Sequence, residues 1–110
     1  MPRIQQIIDA LEALAPPALQ EDYDNSGLLV GEPQGNVEKV LVSLDVTEEV
    51  VAEAKARGAG LIVSHHPILF RPLKRITGKN QVERTIMAAL REGVALYAIH
   101  TNLDNVAHGV

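Results

Sequence analysis

Two short stretches carry the residues best suited to chemistry. Ser64-His65-His66-Pro67 follows the apolar run Leu61-Ile62-Val63, and His100-Thr101-Asn102-Leu103-Asp104 follows the run from Val94 to Ile99. Two adjacent histidines leaving a buried strand are rarely both packing residues. Neutral imidazole is a good ligand for zinc, iron, manganese or nickel, and a carboxylate a short turn beyond another histidine adds an oxygen donor to a mixed shell. The chain has no cysteine, so disulfides and thiolate sites are excluded, and a transition-metal site has to be built from His, Asp and Glu. The residue types point first to a metal-binding protein.

These residues need a scaffold, and the apolar periodicity supplies one. Ile4, Ile7, Ile8, Leu11 and Leu14 fall at helical spacing with Gln5, Gln6, Asp9 and Glu12 between them, until Pro16-Pro17 forbids continuation. Residues 18 to 36 are rich in acids, Gly and turn formers, broken only by Leu28-Leu29-Val30, and read as an irregular loop with one short strand. Val37 to Leu44 reads as a buried strand. Thr47 then suits a helix N-cap, with Glu48 and Glu49 in the first turn and Gly58 and Gly60 past the end near Arg57. Leu61 to Ser64 is the next strand, reached through a helix and therefore expected to lie parallel to the one before. After a loop from Pro67 to Lys79, Asn80-Gln81-Val82-Glu83 reads as a variant capping box. It opens a helix on Val82, Ile86, Met87 and Leu90 that ends before Gly93, and Val94 to Ile99 is the third strand. The expected fold is α/β: a parallel or mixed sheet with a βαβαβ core and flanking helices.

Composition agrees with one compact unit. The 110 residues make a single α/β domain, 46% hydrophobic but only 3% aromatic, so its core is expected to be Ala, Val, Leu and Ile. Ten basic against fourteen acidic residues leave a formal charge of −4, which disfavours broad binding to nucleic acid or anionic lipid. No apolar run approaches the ~20 residues of a membrane span, so the expected setting is soluble and cytoplasmic.

In open α/β sheets ligands bind outside the carboxyl ends of the strands. Asp45, His65, His66, His100, Asn102 and Asp104 all fall at such ends. Neighbouring side chains at a strand exit diverge, which suits two ions a few Å apart better than one. Two ions ask for about six to eight protein ligands, more than these motifs supply.

Together with Phe70 and with Asp24-Asn25-Ser26-Gly27-Leu28-Leu29-Val30-Gly31, the two motifs resemble those of the Nif-three-like dinuclear metal proteins, often labelled GTP cyclohydrolase 1 type 2 homologues. Three motifs in the right order make the resemblance specific, and it covers the chain nearly end to end. It implies an α/β fold in a toroidal homohexamer, with two divalent ions (Zn, Fe, Mn or Ni) facing an internal cavity. Carried over, His65 and Asp104 share one ion and His66 holds the second. His100 stands beside the metals in a catalytic role, handling substrate or its proton. The family's proteins are longer and supply further ligands from a C-terminal His-x-x-x-Glu segment, which these residues do not contain. The expectation is therefore the N-terminal portion of a longer chain with an incomplete site. Tyr23 stands where the family usually has Trp.

Structural readings compete at several positions. The histidine pair could cap backbone groups, Asp104 could close an Asx-turn, and Asp45 could be a turn residue ahead of a helix. Asp24 to Gly27 is a turn by composition, and only through the resemblance a wall of a metal pocket. His108 reads as solvated. Arg71, Lys74, Arg75 and Lys79 crowd the loop after the pair, either as a solvated surface or as an attractor for an anionic small molecule such as a nucleotide or phosphoester. The functional expectation is a dinuclear metal-dependent hydrolase, of which GTP ring opening is one case, although no purine-recognition motif is visible. The alternative is a non-catalytic metal-binding scaffold or regulatory interaction protein. A nucleic-acid clamp is disfavoured by charge and by the scarcity of aromatic stacking platforms.

Overall fold

The computed structural model describes residues 2–14, 27–66, 68 and 73–99. Its elements are α1 (Ile4–Leu14), β1 (Gly27–Val30), β2 (Val40–Ser43), α2 (Glu48–Ala56), β3 (Leu61–Ser64), α3 (Gln81–Glu92) and β4 (Ala95–Ala98). Local chemistry explains where the helices begin and stop. The first amide groups of α1 are satisfied by the turn beside it, Ile4 N donating to Gly35 O and Gln5 N to Pro33 O, both at 2.8 Å. Thr47 Oγ1 accepts from Val50 N at 3.2 Å to start α2. Gly58, at φ +74°, takes the left-handed conformation just past its end. Asn80 Oδ1 accepts from Glu83 N at 2.9 Å to start α3, and Gly93 closes it at φ +69°.

The four strands form one sheet in the order β1-β4-β3-β2. β2, β3 and β4 are parallel, as two successive βαβ crossovers require, and β1 pairs antiparallel with β4. The sheet is therefore mixed. Because strand side chains alternate between faces, β3 and β4 feed two separate cores. Ile62 and Leu96 face α2 and α3 and pack with Val51, Ala54, Ile86 and Ala89. Leu61, Val63, Ala95 and Tyr97 face the other way, toward Ile4 and Ile8 of α1. Each large side chain buried here stabilises the fold by about 1.5–3 kcal/mol before the entropic cost of ordering it. Burial pushes the Tyr97 hydroxyl up to about 12, with the nearby Glu12 carboxylate adding to the effect.

The expected strand from Val37 to Leu44 differs in two respects. Only Val40–Ser43 forms ladder, and the strand is not buried: Val42 is 77% and Leu44 61% exposed. The reason is position. β2 is the edge strand, and the residues gathered around α1 cover β3 and β4 but not the outer face of β2. The short strand expected within the loop is β1, and its place beside β4 involves a register irregularity between Leu28 and Val30. No helix among the described residues is long and apolar enough to cross a membrane.

Candidate metal centre

β2 and β3 lie in register with Ser43 opposite Ser64, so their carboxyl ends are level. The parallel ladder continues one step beyond both strands, His65 N donating to Ser43 O at 3.2 Å and His66 N to Leu44 O at 2.9 Å. Each exit is then bent by its serine. Ser64 Oγ donates to His66 O at 3.0 Å, and Ser43 Oγ donates in the same way to Asp45 O. Equivalent turns on adjacent strands bring together residues far apart in sequence.

The consequence is a close polar contact. His66 Nδ1 and Asp45 Oδ1 are 2.6 Å apart. An ionised carboxylate only accepts, so Nδ1 carries the hydrogen and donates, and in the neutral ring the lone pair is then on Nε2. Both side chains face solvent, at 43% exposure for His66 and 61% for Asp45. The Coulomb attraction is therefore worth little to stability, about 0–1 kcal/mol, and the contact matters for orientation. His65 is half-buried with its Nδ1 withdrawn from solvent. The His65 and His66 rings stand edge to face, with centroids 5.0 Å apart and planes at 71°.

Two imidazoles of this kind fit a borderline divalent cation. Among the described residues, no group of three His, Cys, Asp or Glu side chains comes together in a way that could hold a metal ion. Of the residues expected at the site, His65, His66 and Asp45 share one corner of the sheet. Asp104, His100, Asn102, Arg71 and Asp24 to Ser26 lie outside the described residues. Lys74, Arg75 and Lys79 are exposed in the segment before α3. That segment is tethered by Glu83, whose Oε1 accepts from Thr77 N at 3.0 Å and Lys79 N at 3.2 Å. These backbone donors, Thr77 foremost and then Lys79, hold the Glu83 carboxyl below its ordinary range. An open cleft of about 410 Å³, bounded by Ile4, Asn36, Gly60 and Leu90, lies toward the opposite, amino ends of the parallel strands. It is separate from the histidine corner.

Sequence reasoning missed the two serines. A signal was present, because Val42-Ser43-Leu44-Asp45 and Val63-Ser64-His65-His66 both end an apolar strand on Val-Ser and place a polar residue two positions later.

A mixed α/β sheet with a histidine pair at the exits of its parallel strands defines a class of protein, and comparison with known proteins narrows it. The chain belongs to the family described as Duf34/NIF3 (NGG1p interacting factor 3), whose model matches residues 2–110. It is 44% identical over 108 residues to the GTP cyclohydrolase 1 type 2 homolog of Clostridium perfringens, covering 98% of this chain and 41% of that protein. It is 41% identical over 110 residues to NIF3-like protein 1 of Drosophila melanogaster, covering 98% of this chain and 37% of that protein. Among solved structures, a Bacillus cereus protein related to NIF3 superposes with a TM-score of 0.88 at 41% identity, covering 94% of this chain and 28% of that one. Reduced HcgD from Methanocaldococcus jannaschii gives a TM-score of 0.85 at 31% identity, covering 94% and 41%. The chain thus spans between 28% and 42% of the length of these curated relatives.

Proposed function

We propose that this chain contributes the histidine pair of a dinuclear metal centre in a metal-dependent hydrolase. One observation supports the reading above the others: His65 and His66 leave β3 at the carboxyl edge of the sheet, where α/β proteins bind ligands, and Asp45 engages Nδ1 of His66. His65 and Asp104 hold one divalent ion and His66 the other, the metals being Zn, Fe, Mn or Ni, with further donors from chain beyond these 110 residues. When bound, such ions polarise a scissile bond and lower the pKa of an attacking water. His100 moves the proton, and Lys74, Arg75 and Lys79 draw an anionic small molecule toward the edge. The working form in this reading is a cytoplasmic homo-oligomer, a hexamer by resemblance.

A second reading, a metal-binding scaffold or regulatory partner without turnover, is favoured by the family's own description as an interacting factor. Metal content per chain by elemental mass spectrometry, after zinc or manganese loading and desalting, tests what the two readings share. We expect bound metal in the wild-type chain and less in His65→Ala and His66→Ala. Absence of metal from the wild type, or as much metal in both variants as in the wild type, would sink the dinuclear assignment. Turnover that falls steeply with ionic strength would then favour the hydrolase over the scaffold.

A further inference from the structure

The geometry points to Asp45 as a positioning residue that fixes the tautomer and orientation of His66, so that Nε2 is its ligating atom. This rests on the metal reading above and adds to it a residue that binds no metal itself. The argument starts from how firmly the pair is held. Two local bonds bend the exits, Ser43 Oγ to Asp45 O and Ser64 Oγ to His66 O at 3.0 Å, and His66 N to Leu44 O at 2.9 Å joins one exit to the other. The contact at 2.6 Å then joins the side chains across 21 residues of sequence.

Stability does not account for this much constraint. The two groups are too exposed for their attraction to matter greatly to folding. What the contact does control is which imidazole nitrogen carries hydrogen. An imidazole without a partner exchanges between two tautomers, and a metal can take only the nitrogen whose lone pair is bare. A carboxylate on Nδ1 removes that ambiguity and holds the ring plane, the arrangement by which a carboxylate behind a histidine orients it for metal ligation. Asp45 comes from the β2 exit and His66 from the β3 exit, so the parallel register itself brings carboxylate to ring.

The test uses the 110-residue chain in two steps. Long-range proton–nitrogen correlation spectra of the metal-free protein, taken near pH 8, above the usual imidazole pKa of about 6.5, read the tautomer directly. The wild type is expected to show His66 with hydrogen on Nδ1, and Asp45→Ala a mixture of both forms. Asp45→Asn, close in shape, guards against a folding defect, and thermal melts of all three proteins should agree closely. Zinc titration is then expected to show about 10–100-fold weaker binding at one site in Asp45→Ala. An unchanged His66 tautomer in Asp45→Ala overturns the proposal, as does a changed tautomer with unchanged zinc affinity. Failure of the metal reading is distinguishable: the wild type takes up no zinc although its tautomer is fixed, and that result removes Asp45 from any role in ligation.

Discussion

Ser43 and Ser64 are register partners on adjacent parallel strands, and each donates its hydroxyl to the carbonyl two residues further on. This shared bend places Asp45 and His66 side by side. Ser64 is 2% exposed, so its hydroxyl has no solvent to turn to. Ser64→Ala removes a net contribution of about 1 kcal/mol and frees the turn carrying His66. We expect urea denaturation to show that loss for Ser64→Ala and a smaller one for Ser43→Ala, whose hydroxyl is only half-buried. Equal stability of wild type and Ser64→Ala would show that the bend is held by the backbone alone.

Gly31 ends the strand that joins the sheet from the N-terminal side. At φ +128° it adopts a conformation that side chains rarely accept, and a Cβ there would stand 2.5 Å from Cβ of Ala95, at the start of β4. Strain and overlap both act, so Gly31→Ala should cost about 2–4 kcal/mol. The denaturation midpoint should fall accordingly. A shift within error of zero would mean that β1 can be displaced from β4 without penalty.

Glu83 makes the fold sensitive to acid. Its carboxylate accepts from the amides of Thr77 and Lys79, which hold its pKa below the ordinary 4.5. A depressed folded-state pKa contributes stability that is fully present above about 4.5 and lost as pH falls through the depressed value. Glu83→Gln should therefore be less stable than wild type at neutral pH, with the gap closing on acidification. Parallel stability curves for the two proteins from pH 7 down to pH 3 would refute this role.

Much of the scaffold was legible because it depends on local chemistry. Thr47 and Asn80 announce helix starts, Gly58 and Gly93 helix ends, and the histidine pair its own strand exit. Other features depend on which strands are neighbours, and periodicity is silent about that. Val40-Leu41-Val42 reads as buried in any apolar scan, yet only a central place in the sheet would bury it, and β2 lies at the edge. The partner of Leu28-Leu29-Val30 was equally open, since a short strand in a loop can join either edge. Asp45 was recognised as a residue at a strand exit, but its contact with His66 follows from the register of β2 on β3, a fact of tertiary structure.

The pairing of β1 with β4 also sets an order of events in folding. Gly27 pairs with Ala98 across most of the described chain, whereas β2, β3 and β4 are linked through neighbouring crossovers. Closing the longer loop costs more entropy and is repaid by a single short antiparallel ladder with an irregular register. β1 is therefore expected to dock last and detach first, leaving the three parallel strands and the histidine exit intact. Amide hydrogen exchange that is faster in Leu28 and Val30 than in Ile62 and Val63 would record that hierarchy, and equal protection would mean the sheet opens as one unit. The piece of sequence next to the Asp24–Gly27 motif would then be the part of the fold that yields at least cost.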